Sequence, residues 1–307
     1  MPPPFSSEGR WLRCALHAHT TNSDGELTPP LLIDHYERAG YDVLAVTDHW
    51  VRTVEPSTEQ LLVVPGTELD AAMGKPGHEA HVLGFGVEAD PPEHGTEFPT
   101  LEETVAWIRE AGGVSYLAHP YWSGLRADQF VGCEGLLGLE VYNAGCELEV
   151  GRGFAGVHWD DVLEASGRPW FGVATDDSHH PGLDSGLAWT WVRAADRTQE
   201  PVLEALRTGA FYGSTGPAIE ELTVEDGVVE VRTTPARSVV LMTGRTRGAS
   251  VNAGRSGYSY RGEVLDRGED GGITAARLST PRQAPYGRIE VTDEAGGRAW
   301  TNPLWIH

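Results

Sequence analysis

The chain is poor in cysteine, nearly devoid of lysine and short of positive charge. Its three cysteines, Cys14, Cys133 and Cys146, are odd in number and form no CxxC pair. That pattern argues against a disulfide framework and against a thiolate metal site, and for buried thiols in a reducing cytoplasm. Lysine and arginine together number 23 against 45 acidic residues, a formal charge of −22 at pH 7, and Lys75 is the one lysine. This balance argues against a nucleic-acid backbone or an anionic membrane as the main partner. Acidic excess also serves solubility alone. No run approaches the ~20 apolar residues of a membrane span. Residues 1–10 lack a basic start followed by an apolar stretch, so no secretory leader is expected.

What remains is an ordinary globular composition: 307 residues, 40% hydrophobic and 22% charged, enough for one large domain or a barrel with a small satellite. Up to about Gly216, short apolar runs alternate with amphipathic stretches. Residues 13–17, 43–47, 61–66, 81–86, 114–118, 137–141 and 170–174 read as buried strands. Helices are expected over 28–39, 100–111, 159–165 and 198–207; several begin on Thr and most are followed by Gly. Thr100 with Glu103 three residues on is a capping-box signature. Strand–helix alternation predicts parallel strands with helical crossovers, an α/β fold closing into a TIM-like barrel. After Gly216-Pro217 the helical signal disappears. Strand-like runs at 219–225, 228–234, 238–243, 258–263, 273–278, 288–292 and 298–306 are separated by Gly- and Pro-containing turns, which predicts a small all-β sandwich. The expected division is residues 1–217 and 218–307.

Half of the 12 histidines fall beside predicted strands in company with carboxylates. His17 and His19 form an HxH at the end of the first strand, and Asp24 follows in Ser23-Asp24-Gly25. Asp48 and His49 close the second strand, Glu68 follows the third, His81 opens the next, His119 ends another, and Asp177 and His179 follow the seventh. Period two puts both imidazoles of an HxH on one side of the backbone. A barrel gathers its strand ends at one mouth, so distant ligands can converge. Imidazole with carboxylate suits Zn, Mn or Fe in a hydrolytic site. At about three or four ligands per ion, with a carboxylate shared, His17, His19, Asp24, His49, Glu68, His81, His119, Asp177 and His179 suffice for two to three divalent ions.

These motifs, in this order, resemble the polymerase and histidinol phosphatase (PHP) superfamily of metal-dependent phosphoesterases. The resemblance covers roughly residues 13–216. It implies a distorted (β/α)7 barrel, with His17, His19, Glu68 and Asp177 on a first ion. Glu68 would bridge to a second ion completed by His81 and His119, and Asp24, His49 and His179 would hold a third. The segment from Ala205 to Pro217 is similar to one branch that carries a C-terminal β domain and includes hydrolases of carbamate or carboxylic esters.

The expected activity is hydrolysis of a small phosphate ester by a metal-bridging hydroxide, in the cytoplasm. Two alternatives stand beside it: a metal-dependent carboxylic or carbamate ester hydrolase, and a non-catalytic binding protein acting through the β-sandwich. Arg52, Arg126 and Arg152 are candidate phosphate contacts, because a guanidinium fork matches phosphate oxygens. Trp50, Trp122 and Trp189 are candidates for the mouth. Asp48 is expected to orient a histidine rather than bind an ion. His78 and His180 sit near ligands and could replace one, and Asp176 competes with Asp177. His35, His94, His158 and His307 carry no expected role. The GxGxxG match at 151–156 is set aside because it opens no first βαβ unit.

Overall fold

A computed structural model describes residues 4–6, 8–75, 77–93, 99–244, 246–254, 257–282 and 284–305. His94 and His307 lie outside the described residues. The N-terminal part contains strands β1 (Arg10–Ala15), β2 (Val43–Val46), β3 (Leu62–Lys75), β4 (His78–Phe85), β5 (Val114–Leu117), β6 (Leu136–Asn143), β7 (Phe171–Thr175), β8 (Trp189–Ala194) and β9 (Phe211–Ser214). Its helices are α1 (Pro29–Arg38), α2 (Leu101–Glu110), α3 (Ala144–Val150), α4 (Gly156–Ser166), α5 (Pro181–Asp184) and α6 (Gln199–Thr208). The capping-box signal acts as read, whereas Thr28 and Thr198 stand at the starts of α1 and α6 without a side-chain cap bond. Thr100 caps α2 by accepting from the Glu103 N–H, while the Glu103 carboxylate accepts from the Thr100 N–H at 2.8 Å.

The strands run β8-β1-β2-β3-β4-β5-β6-β7 in one hydrogen-bonded path. Parallel pairing joins β1 to β2, β2 to β3, β5 to β6 and β6 to β7. The expected regular alternation fails in the middle. The chain after residue 66 does not leave the sheet for a helix; it continues as β3 and turns straight back as β4, pairing antiparallel from Gly66↔Phe85 to Lys75↔His78. The segment Gly66-Thr67-Glu68-Leu69-Asp70 carries too many polar residues to read as a buried strand, because Glu68 lines the cleft and Asp70 meets His81. The path does not close by a ladder among the described residues. Where β7 meets β8, the Thr190 hydroxyl accepts from the Ala174 N–H at 3.1 Å and donates to the Ala174 carbonyl at 2.9 Å. A mixed sheet curled around its apolar interior is therefore observed, not a closed all-parallel barrel.

Beyond β9 come β10 (Ile219–Glu225), β11 (Val228–Ala236), β12 (Ser238–Thr243), β13 (Gly248–Asn252), β14 (Ser259–Tyr260), β15 (Gly262–Arg267), β16 (Ile273–Ser279), β17 (Tyr286–Thr292), β18 (Arg298–Thr301) and β19 (Leu304–Trp305). Antiparallel β10-β11-β16-β15 forms a second sheet, packed over β12, β13 and β17 through Val229, Val231, Val239, Leu241, Ile289 and Val291. The strand alternation predicted from sequence is present. The large sheet also runs on past residue 217, because β18 pairs with β9 and β17 with β18. Two polar anchors tie this region to the rest. Arg288, 1% exposed, grips Asp160 of α4 at 2.9 and 3.0 Å. The Asn302 side chain accepts from the Gly172 N–H and donates to the Gly209 and Phe211 carbonyls. No helix among the described residues is long and apolar enough to cross a membrane.

Candidate metal centre

His17 and His19 lie two and four residues past the end of β1, fully buried, with the backbone between them bridged to Ser178. The Asp24 turn folds back on them. A Cβ on Gly25 would sit 2.3 Å from the His19 carbonyl, so only glycine permits the approach. Glu68 sits mid-β3, 1% exposed, beside His49, and the hairpin sets His81 opposite Asp70. His119 and Asp177 follow β5 and β7 with φ of 23° and 55°, and Trp50 beside the site has 55°. Non-glycine residues in this region are strained by roughly 1–3 kcal/mol each. The His119 conformation is held by its N–H donating to Glu140 Oε2 at 2.8 Å, and Asp177 by its N–H donating to the His17 carbonyl at 3.1 Å.

The two oxygens of Glu68 face different imidazoles. Oε2 lies 2.8 Å from His17 Nε2, 3.2 Å from His19 Nε2 and 3.6 Å from His49 Nε2. Oε1 lies 2.9 Å from His81 Nδ1 and 3.2 Å from His119 Nε2. Asp177 Oδ1 adds contacts of 3.1 Å to His17 and 3.2 Å to His19, and its Oδ2 lies 3.9 Å from His119 Nε2. Asp24, more than half exposed, reaches His19 and His179 at 3.5 Å and His49 at 3.8 Å. All nine residues singled out from the sequence are thus brought together. The ligand atoms of His17, His19, Glu68 and Asp177 lie within 4.8 Å of one another, as do those of His19, Asp24, His49 and His179, and those of His49, Glu68 and His81.

This donor set fits divalent ions by an observation independent of the motifs. His19 Nε2 and Asp177 Oδ1 are buried and have no hydrogen-bond partner, although they stand 3.2 Å apart. Burying polar atoms unpaired is costly, whereas two atoms aimed at a shared third point are what a coordinated cation satisfies. Six imidazoles with three carboxylates suit Zn, Mn or Fe.

Electrostatics couple these groups tightly. Burial pulls the His17 and His19 pKa values down, but the surrounding carboxylates, Asp177 and Glu68 foremost, overcome it; His17 is raised well above its usual value and His19 is pushed up to about 9. His81 rises to about 8 against burial, through Glu68 and then Asp70. Burial would raise Glu68 and Asp177, yet the imidazoles hold both well below the usual carboxylate range. His49 is lowered, chiefly by burial. At pH 7 the metal-free chain therefore carries protons on His19 and His81 that an ion must displace. For raised imidazoles the stabilisation is complete below the unfolded pKa of about 6.5 and is lost as pH climbs through about 8 to 9. Zinc added to metal-free protein at pH 7 in weak buffer is expected to release protons. The metal-free denaturation midpoint should fall between pH 7 and 9 while the loaded one holds. An indicator dye and a denaturant series check this, and proton-free uptake would refute it.

Several expectations are redirected. Arg52 pairs with Asp90 at 2.9 Å, Arg126 with Asp128 at 3.1 Å, and Arg152 lies over the Tyr121 ring, so none of the three lines the cleft. Asp48 meets no ligand histidine directly, though the Ser23 hydroxyl it accepts from also lies 3.5 Å from His19 Nδ1. Asp48 accepts from the Thr20 N–H and from the hydroxyls of Thr20, Ser23 and Thr53, holding the Asp24 turn instead. Asp176 turns away from the ligands to accept from the Gly186, Leu187 and Ala188 N–H groups, and burial raises its pKa to about 6. His180 sits at the rim near Glu26, and His35 meets Ser185. Trp122 lines the cleft, with its indole N–H on Glu149 at 2.8 Å; Trp50 donates to Asp70, and Trp189 lies under the Arg13 guanidinium.

Sequence reasoning passed over Glu140, fully buried in β6. It meets His17 Nδ1 at 2.7 Å and accepts from the Thr175 hydroxyl at 2.6 Å, the His119 N–H at 2.8 Å and the Asn143 amide at 2.8 Å. A lone carboxylate inside the apolar run Leu136-Leu137-Gly138-Leu139-Glu140-Val141 was the available signal, since buried charge is rare unless paired. Asp70 does the same for His81, 3.1 Å from its Nε2 while Nδ1 faces Glu68. Asp184 accepts from the Ser178 hydroxyl and from the His179 and His180 N–H groups, fixing the last ligand loop.

The cleft above these ligands has a volume of about 650 Å³. Its described lining adds Trp122, Cys146, Leu148, Glu149, His180 and Leu183, with no arginine or lysine.

No family model matches the chain. Two curated proteins, the 5'-3' exoribonuclease Rnm of Salmonella typhimurium and that of Escherichia coli, are 32% and 33% identical to it over 85 residues. That stretch is 25% of this chain and 28% of each relative, so the match spans under a third of either protein. The crystal structure of a two-domain protein from Bacteroides vulgatus, containing a predicted PHP-like metal-dependent phosphoesterase, covers 96% of both chains with a TM-score of 0.54 and 16% identity. The likeness to that two-domain structure is one of fold, and it extends over the C-terminal β region as well.

Proposed function

We propose that this protein is a metal-dependent phosphoesterase acting on a small phosphate ester, with residues 1–217 as the hydrolase unit and residues 218–307 as an accessory β-sandwich. The observation that carries this reading is the position of Glu68, whose two oxygens are shared between two groups of imidazoles. Divalent ions held there supply Lewis acidity and lower the pKa of water to about 7, as hydrolysis at phosphorus needs. The chain's own contribution is orientation. Glu140 and Asp70 hold the outward nitrogens of His17 and His81, so that the other ring nitrogens face Glu68. Trp122 packs at a steep angle to His119 with ring centroids 5.0 Å apart and gives the cleft, with Leu148 and Leu183, an apolar wall for a substituent of the ester. With no fixed cation among the described lining residues, the substrate's charge falls to the ions to neutralise.

Metal content per chain, followed by a panel of aryl phosphate monoesters and diesters, acetate esters and carbamates, tests the proposal. Turnover of the phosphorus esters, abolished by chelation and restored by metal, supports it. Acyl esters alone being cut would favour the carboxylic or carbamate ester alternative, and an inert metal-loaded protein that binds a glycan or a protein would favour the binding-protein reading. A second phosphoesterase reading, trimming of RNA from its 5' end, is favoured by the stretch shared with the two exoribonucleases. An end-labelled oligoribonucleotide in the same panel separates the two. Trp122→Ala is expected to raise KM for an aryl phosphate roughly tenfold with metal content unchanged; an unaltered KM would remove Trp122 from the substrate wall.

A further inference from the structure

We propose that Cys146 is a metal ligand, making one position of the centre a nitrogen, oxygen and sulfur site. The inference rests on the reading that divalent ions occupy the cleft. Nothing in the cysteine spacing suggested it, because the companions of this thiol come from distant strands.

The geometry is built rather than incidental. Asn143 caps α3 by accepting from the Cys146 N–H at 2.9 Å, and its amide donates to Glu140 and to Asp177 Oδ2 at 2.8 and 3.0 Å. One side chain thus locks the start of α3 onto a candidate ligand, and it directs the thiol to Asp177, with Sγ 3.9 Å from Oδ2. Cys146 is 4% exposed and lines the same cleft as Glu68, His81 and His119. The ligand atoms of His119, Cys146 and Asp177 all lie within 4.8 Å of one another. His119 Nε2 stands 3.9 Å from Asp177 Oδ2, too far for a hydrogen bond. Atoms spaced in this way leave room for an ion between them. The other two cysteines face backbone carbonyls: Cys14 that of Leu12, Cys133 that of Glu134.

On ligation the S–H bond breaks, the proton passes to solvent, and the sulfur lone pair forms the bond to the ion. No electron is transferred. A thiolate at this position biases the site towards Zn over Mn, since soft sulfur suits the former and hard oxygen the latter.

Cobalt(II) titrated into the chelator-treated full chain tests this by absorption. Visible d–d bands report cobalt in a protein site, and a near-ultraviolet charge-transfer band reports a cobalt–thiolate bond. Both are expected in the native sequence; Cys146→Ser should keep the visible bands and lose the near-ultraviolet one. Alkylation of Cys146 by iodoacetamide, followed by peptide mass analysis, should slow at least tenfold when zinc is bound. Visible bands without the charge-transfer band in the native protein would overturn the cysteine ligand and leave the metal centre standing. No visible bands, with no cobalt retained, would overturn both.

Discussion

Glu68→Ala is expected to strip the protein of tightly bound divalent ion and to abolish metal-dependent hydrolysis. No other carboxylate in the cleft meets so many imidazoles: its two oxygens contact five, on either side of the cluster. Loss of an outer partner of a ligand costs about 10–100-fold in metal affinity; loss of the shared ligand should exceed that range. The substitution also removes the carboxylate that keeps His81 raised, so the His81 pKa should fall back from about 8. Elemental analysis after gel filtration, with NMR titration of the imidazoles, checks both. Native metal stoichiometry in the variant would mean that Asp177 alone organises the centre, and the bridging role would be withdrawn.

The second large effect concerns Glu140, which touches no ion in the proposed arrangement. Glu140→Ala leaves His17 Nδ1, the Thr175 hydroxyl, the His119 N–H and the Asn143 amide without their common partner inside the fold. Removing one member of a buried charged network costs about 3–5 kcal/mol, and the metal-free protein should lose stability on that scale in a denaturant titration. Glu140→Gln is the sharper test. It keeps the volume but turns one acceptor oxygen into a donor NH2 facing donors. We expect a smaller loss of stability and a 10–100-fold loss of metal affinity. A Gln variant matching the native protein in both measurements would show that Glu140 only fills space.

The contrast between these two residues shows what was legible. Glu68 could be found because it stands in order with His17, His19, Asp24, His49, His81, His119, Asp177 and His179 near the ends of apolar runs. Glu140 sits inside a run, and the residue it serves lies 123 positions away. The helices at Pro29–Arg38 and Leu101–Glu110 were readable from their caps and periodicity, which are local. The β3–β4 hairpin was not, because Glu68 in the cleft and Asp70 on His81 break the apolar pattern by which a buried strand is recognised. The three arginines were chosen for their chemistry, but Asp90, Asp128 and Tyr121 are what they meet.

By itself, then, the sequence determined the kinds of ligand, their order, most of the helices and the all-β character of the C-terminal region. Each of these follows from residue type and short-range spacing. Tertiary structure alone decided which oxygen of Glu68 faces which imidazole, that the sheet turns antiparallel at Gly66 and runs on past residue 217, and that Cys146 joins the cleft. Those outcomes depend on strand register and on contacts between segments far apart in the chain, where a shift of one residue turns every side chain to the opposite face.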